Sequence, residues 1–286
     1  MLQGVWLPII TPFRNDVVDY DSYQKMIEYF LAKGISGLIP LGTTGESPTV
    51  SEDEFETITA KTVELVNGRV PVFVGVGGNC TQKVIQQVKV VEKYKVDGIL
   101  SVCPYYNRPE QNGIYQHFRH ISEATELQII IYNIPYRTGR NIKNDTLRRL
   151  AELKNIIGVK DSCGDIKQSM DLLLNRPPGF SILTGEDLMF YSTLTLGGDG
   201  GILAAAHLKT EDYVDIFNLV QANNHQGALE KWKPLTKIIP LLFKESNPAP
   251  LKYCLKKLGL IESSSIRLPL MEISPELMRE LNEYLN

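Results

Sequence analysis

Short apolar runs bounded by turn-forming residues alternate along this chain with longer stretches of helical spacing. The run Val5-Trp6-Leu7-Pro8-Ile9-Ile10-Thr11, stopped by Pro12, reads as a first strand. From Tyr20 to Lys33, Tyr23, Ile27, Phe30 and Leu31 share one helical face, and Gly34 ends the pattern. A second strand over 35–41 runs into Gly42-Thr43-Thr44-Gly45-Glu46. Ser51, with Glu54 three positions on, is a capping box that opens a helix reaching Asn67-Gly68. The alternation continues with strands over 70–75, 98–103, 128–133, 156–162, 180–184 and 200–204. Helical stretches over 81–94, 113–125, 143–153, 165–174 and 188–196 lie between them.

Eight strands with helices between them are the count of a (β/α)8 TIM barrel, so the expected fold class is α/β. The barrel is expected over residues 1–209. A C-terminal helical extension follows over 210–286, with breaks at Pro234, Pro248-Ala249-Pro250 and Gly259. No repeat beyond the βα period and no low-complexity tract interrupts the chain.

Composition narrows the function classes. The 286 residues are 43% hydrophobic and 22% charged, with a net charge of −3. That is ordinary globular composition without the basic footprint of a nucleic-acid binder. No apolar run reaches the length of a membrane span, and the first residues lack a signal-peptide pattern. Cys80, Cys103, Cys163 and Cys254 are scattered without a CxxC pair and read as reduced thiols of a cytoplasmic protein. His117 and His120 have no carboxylate pattern around them; they read as surface residues of one helix rather than metal ligands. No metal or other cofactor is expected. Gly75-Val76-Gly77-Gly78-Asn79-Cys80 starts like a dinucleotide fingerprint, but Cys80 stands where the third glycine belongs. Gly197 to Gly201 precedes a strand rather than following one, as a helix-to-strand turn would.

In such a barrel the chemistry lies at the carboxyl ends of the strands. Those ends carry Thr43 and Thr44, Tyr105 and Tyr106, Tyr132 and Arg137, Lys160, and Gly185 with Glu186. Lys160 is the unusual one, because Ile156-Ile157-Gly158-Val159 runs into it as a buried strand would. A buried ammonium is costly unless it is paired or loses its proton. Two uneventful outcomes are open to it: a side chain that reaches solvent, or a pair with Asp161. The reactive outcome is a neutral amine that condenses with a ketone to an imine, an electron sink for breaking an adjacent C–H bond. Tyr132, Thr43 and Tyr106 offer hydroxyls to move protons, and Arg137 a forked cation for a carboxylate. Amides of the Thr43-Thr44-Gly45 turn offer a cradle for a second carboxylate. A 2-oxo acid and an aldol-type reaction fit this set, whereas no pair of carboxylates is present for two-carboxylate hydrolysis.

Several motifs, in order along essentially the whole chain, resemble the dihydrodipicolinate synthase branch of the class I pyruvate-dependent aldolases, which also include N-acetylneuraminate lyase. They are Gly42-Thr43-Thr44-Gly45-Glu46-Ser47, Pro104-Tyr105-Tyr106-Asn107-Arg108-Pro109, Tyr132-Asn133-Ile134-Pro135 with Arg137-Thr138-Gly139, and Ile156 to Lys160. Asn247-Pro248-Ala249-Pro250, Leu258-Gly259-Leu260 and Arg267-Leu268-Pro269 continue the match. The resemblance implies that Lys160 forms an imine with pyruvate, whose enamine attacks L-aspartate 4-semialdehyde, in diaminopimelate and lysine biosynthesis. It implies that Tyr132, Thr43 and Tyr106 form a proton relay, Tyr106 reaching into a neighbouring subunit. Thr44 matches the residue that holds the pyruvate carboxylate and Arg137 the one that holds the semialdehyde's. Ile202 corresponds to a main-chain carbonyl near the lysine, and Gly185 is a further carry-over. A homotetramer, a dimer of tight dimers, is the implied assembly.

Two departures stand out. Tyr136 occupies a position where a serine is usual in the family, beside the semialdehyde end. Ser47, Asn79 and Tyr105 resemble the family's lysine feedback site, but Glu52, Phe55 and Lys83 replace two histidines and a glutamate, so weak or absent inhibition by lysine is expected. The rival readings are a retro-aldol lyase acting on a sugar-derived 2-oxo acid (N-acetylneuraminate or 2-keto-3-deoxygluconate) and a non-catalytic 2-oxo acid-binding regulator. Arg137 speaks against the first and the intact relay set against the second.

Overall fold

The computed structural model describes residues 2–285. It opens with strand β1 (Gly4–Leu7), a small hairpin of β2 (Phe13–Arg14) and β3 (Val17–Val18), helix α1 (Tyr20–Ala32), β4 (Gly37–Leu38) and α2 (Glu52–Val66). Then come β5 (Phe73–Gly75), α3 (Thr81–Val91), β6 (Gly98–Val102), α4 (Gln111–Glu123) and β7 (Gln128–Asn133). A single turn, α5 (Pro135–Thr138), precedes α6 (Asn144–Leu150) and β8 (Ile156–Asp161). Next are α7 (Ile166–Leu174), β9 (Ser181–Thr184), α8 (Phe190–Thr195) and β10 (Gly200–Ile202). The chain closes with α9 (Thr210–Gln221), α10 (His225–Leu242), α11 (Ala249–Lys257) and α12 (Pro275–Leu285).

Eight of the strands form one sheet in the order β4-β1-β10-β9-β8-β7-β6-β5. From β5 to β10 each strand pairs in parallel with its neighbour in sequence, as β1 does with β4. At the β4 end, the Leu38 amide donates to the Pro71 carbonyl, just ahead of β5, at 3.0 Å. Strand order that follows chain order all the way round is the (β/α)8 arrangement, as the strand count implied. Most of the strands are shorter than the apolar runs that encode them, whereas β7 spans its whole run. In β1 the ladder stops before Pro8, which has no amide to donate, although Ile9 and Ile10 stay fully buried.

Packing divides the chain into two compact units. One comprises the residues up to Gly4 with Val72–Ile202; the other comprises Val5–Pro71 with the chain from Leu203 onward. In the first unit, Ile99, Ile129, Ile130, Ile131, Val159 and Leu183 are fully buried, as parallel strands covered on both faces require. In the second, Trp6, Leu7, Tyr23, Ile27 and Phe30 are buried. The expected capping box is present: Ser51 Oγ accepts from the Glu54 amide at 3.2 Å, and Glu54 Oε2 accepts from the Ser51 amide at 3.0 Å.

Two expectations are corrected. The final helices do not break at Pro234, because α10 runs through both Pro234 and Pro240. Each proline removes one backbone hydrogen bond, at about 3 kcal/mol. The buried stripe of Trp232, Leu235, Ile238, Ile239 and Leu242 outweighs that cost. His117 is not a surface residue either; it is buried, with Nδ1 at 2.9 Å from Thr81 Oγ1, and burial lowers its pKa to about 4. His120, on the same helix, is exposed beside Glu123. The hairpin Phe13–Val18 and the turn α5 carry too little periodicity to be read from sequence.

Candidate active site

Lys160 lies near the carboxyl end of β8, with its neighbour in register on β7 being Tyr132. Successive side chains of a strand point to opposite faces, so Lys160 and Asp161 part company. Asp161 turns away and accepts from Ser169 Oγ at 2.5 Å and from the Cys163 amide at 3.1 Å. Lys160 neither pairs with Asp161 nor reaches solvent, being only 6% exposed. Its Nζ sits 4.3 Å from the centre of the Tyr132 ring.

Burial pushes the Lys160 ammonium down to about 8. The charge of Asp187 opposes that shift, Arg137 adds to it, and Glu186 opposes it more weakly. Near neutral pH a small but usable fraction of the lysine, about a tenth, is therefore a free amine, far more than a solvated lysine offers. Asp187 is buried beyond β9, and Glu186 is half-buried with its carboxyl raised, chiefly by burial. Asp187 was not singled out from sequence; its signal was its place in the Gly185-Glu186-Asp187 turn after a barrel strand.

Gly185 follows β9 because no side chain fits there. A Cβ at this position would meet Lys160 Cε at 2.5 Å and Cγ at 2.7 Å, and would collide with Ser162 Oγ. Its amide donates to the Asp161 carbonyl at 2.7 Å. The turn thus packs flush against the lysine stem. Tyr132 is buried, and burial raises its phenol far above the usual range, so near neutral pH it stays a protonated donor. Ile202, at the end of β10, is fully buried in the same unit.

The loops after β6 and β7 are stitched together. Asn133 donates Nδ2 to Asn141 Oδ1 at 2.9 Å and accepts from the Ile142 amide at 3.0 Å, closing the segment that contains α5. Arg108 Nε donates to the Gly139 carbonyl, and Arg140 Nη2 donates to the Arg108 carbonyl and to Glu110. Between these ties, Tyr106 adopts φ 71° and leaves its side chain 88% exposed. A left-handed backbone at a bulky residue is strained, and such positions cluster at functional sites. Arg137 is exposed; its Nε donates to the Tyr136 hydroxyl at 3.1 Å, and its guanidinium lies 5.2 Å from that ring's centre.

The other unit holds the Gly42–Glu46 loop. Leu41 and Glu46 flank it with φ of 59° and 54°. Thr44 is buried and Thr43 half-buried. The expected amide cradle is narrower than its sequence implied, since the Gly45 amide is spent on the Gly42 carbonyl at 3.1 Å. Thr11 Oγ1 donates to the Gly45 carbonyl at 2.8 Å, and Asn247 Nδ2 donates to Thr44 Oγ1 at 3.0 Å. Glu46 forms a fully buried ion pair with Lys252 and accepts from the Arg267 amide. None of these C-terminal partners was read from sequence as part of a site, because contacts across 200 positions leave no local pattern. Among the described residues no cluster of His, Cys, Asp and Glu could hold a metal ion. No helix among them is long and apolar enough to cross a membrane.

A (β/α)8 barrel whose buried lysine has lost much of its basicity, beside a neutral tyrosine, defines a protein equipped for amine–carbonyl chemistry. The chain belongs to the dihydrodipicolinate synthetase family, whose model matches residues 1–286. It is 58% identical over 284 residues to 4-hydroxy-tetrahydrodipicolinate synthase 2 of Clostridium acetobutylicum, covering 99% of each chain. It is 40% identical to the 4-hydroxy-tetrahydrodipicolinate synthase of Thermotoga maritima over 100% of this chain and 98% of that one. The crystal structure of dihydrodipicolinate synthase from Thermotoga maritima superposes with a TM-score of 0.96 at 39% identity, over 100% of this chain and 98% of that chain. A monomeric dihydrodipicolinate synthase variant also superposes with a TM-score of 0.96, at 38% identity, over 99% of this chain and 96% of that chain.

Proposed function

We propose that this chain is a 4-hydroxy-tetrahydrodipicolinate synthase, condensing pyruvate with L-aspartate 4-semialdehyde in diaminopimelate and lysine biosynthesis. The observation that carries this reading is Lys160: buried, lowered to about 8, and set at the end of a barrel strand in a chain of this family. The neutral amine adds to C2 of pyruvate, and the carbinolamine loses water to give an imine. Loss of a proton from C3 gives the enamine, whose C3 forms the new carbon–carbon bond to the aldehyde carbon. The semialdehyde's amino group then attacks the imine carbon, closes the ring and returns Lys160 as a free amine. The overall balance is one water released.

Tyr132 supplies and recovers the protons of these steps, with Thr43 and Tyr106 as the further members of the relay, in keeping with the family resemblance. By the same resemblance Thr44 holds the pyruvate carboxylate, Arg137 holds the semialdehyde carboxylate, and Ile202 corresponds to the residue whose main-chain carbonyl serves the amine. Gly185 leaves the lysine stem its space. The high exposure of Tyr106 fits a side chain completed by a neighbouring subunit, in a homotetramer built as a dimer of dimers. A cytoplasmic location goes with this biosynthetic role. With Glu52, Phe55 and Lys83 in place of the family's feedback residues, lysine inhibits weakly or not at all.

The test is borohydride reduction in the presence of pyruvate, followed by peptide mass mapping. A pyruvate-derived adduct on Lys160 is expected, and its absence would sink the reaction. A coupled assay comparing aspartate semialdehyde with N-acetylneuraminate and 2-keto-3-deoxygluconate then assigns the substrate. Preference for a sugar acid would replace the synthase reading with a lyase.

A further inference from the structure

Thr44 and Asn247 lie 203 positions apart in sequence, yet both are buried and Asn247 Nδ2 donates to Thr44 Oγ1 at 3.0 Å. A threonine hydroxyl has one hydrogen to give and lone pairs with which to accept. Once an amide N–H occupies a lone pair, the hydroxyl's own hydrogen must point elsewhere. Accepting a hydrogen bond also polarises the O–H and makes it a better donor. The Asn247 contact therefore commits Thr44 to donating.

The loop cannot shift to relieve a lost contact. A Cβ at Gly45 would come within 2.9 Å of the Leu41 amide nitrogen and 3.2 Å of the Ile9 carbonyl, so the turn is packed tight against its surroundings. Thr11 pins the Gly45 carbonyl, and Glu46 is locked to Lys252. Asn247 and Lys252 stand at the two ends of one short stretch that includes the start of α11, and both engage the Gly42–Glu46 loop.

We propose that Asn247 is a positioning residue for pyruvate: by donating to Thr44 Oγ1 it turns the Thr44 hydroxyl hydrogen toward the substrate carboxylate. This rests on the reading of Thr44 as the pyruvate carboxylate's holder. The C-terminal helical segment is then part of the substrate-binding machinery, acting through one hydroxyl.

The experiment is a double-mutant cycle with Asn247→Ala, Thr44→Val and the pair, reading the KM of each substrate, kcat and the urea midpoint. Each single change is expected to raise the pyruvate KM about tenfold, the scale of one charge-assisted hydrogen bond. The semialdehyde KM should stay within about twofold, and the double variant should be no worse for pyruvate than Thr44→Val alone. Independent losses that multiply, an unchanged pyruvate KM in Asn247→Ala, or equal rises for both substrates would overturn the proposal. Should the alanine variant not fold, the isosteric Asn247→Asp serves, since its carboxylate takes the Thr44 hydrogen for itself. It should raise the pyruvate KM at least as much, and an unchanged value overturns the proposal. Borohydride trapping on the unaltered protein separates the two levels. No adduct there removes the reaction itself, whereas a normal adduct with an unaltered KM in the Asn247 variants removes only the role of Asn247.

Discussion

At the scale of single residues, the behaviour of Lys160 follows from strand alternation. Asp161 is its neighbour in sequence but faces the other way, satisfied by Ser169 and Cys163. The lysine is left with a desolvation cost that Asp187 only partly offsets, so its pKa falls. Adduct formation with pyruvate should therefore rise with pH and level off above about 8, when measured by timed borohydride trapping. A profile still climbing at about pH 10 would mean an ordinary lysine. The same shift has a stability consequence. The folded state gives up its proton before the unfolded chain does, so stability attributable to this group increases between pH 8 and 10.5. Gly185→Ala should act on the same atoms, because the new methyl group meets the lysine stem at 2.5 Å. We expect a loss of about 1–3 kcal/mol in stability, as overpacking causes, and a fall in kcat of about tenfold or more. A variant with unaltered trapping would show that the turn is free to move away.

At the scale of elements, the Gly42–Glu46 loop is held by the start of α11 and by Arg267 rather than by its sequence neighbours alone. Lys252 is fully buried, with its pKa lowered to about 8 by burial against the pull of Glu46. It also donates to the Ser265 carbonyl at 3.0 Å and lies 4.2 Å from the centre of the Phe13 ring. Breaking such a pair leaves a buried charge without its partner. Glu46→Gln should cost about 3–5 kcal/mol in urea unfolding, whereas adding Lys252→Met in the same chain should recover most of it. Equal destabilisation by the single and double variants would show that the pair contributes through something other than charge. Helix α10 teaches the complementary lesson. Pro234 was read as a break, yet a continuous buried stripe keeps the helix whole through it and through Pro240.

At the scale of the whole molecule, the last third of the chain is not separable from the first. The unit that includes α1 and α2 also includes α9 to α12, and Phe13, Glu46 and Glu54 find partners at Ser265, Lys252 and Arg267. A chain ended after residue 209 would leave those groups unpaired, and would also strip Lys25 and, just past the end of α1, Lys33 of their partners at the Gly259 carbonyl and Glu211. We expect that truncation to abolish cooperative unfolding, followed by circular dichroism, and to abolish pyruvate trapping. A truncated chain that melts in one sharp transition would argue that the first 209 residues fold alone.

The order and kind of the elements were legible in the sequence, because a parallel barrel buries its strands on both faces and writes each as an apolar run. The capping box at Ser51, the strand Gln128–Asn133 and the placing of Lys160, Tyr132 and Gly185 at strand ends all came from local pattern. So did the motifs that carry the family resemblance. Tertiary structure alone decided the state of each side chain. It buried His117, which had read as a surface residue, drew Asp161 away from Lys160, brought Asp187's charge to bear on the lysine and spent the Gly45 amide on the Gly42 carbonyl. It also brought Asn247 and Lys252 to a loop some 200 residues earlier. Periodicity records which face of an element is apolar, because burial is a property of the element. Which charge or donor meets a given atom depends on elements distant in the chain, and no local pattern encodes that.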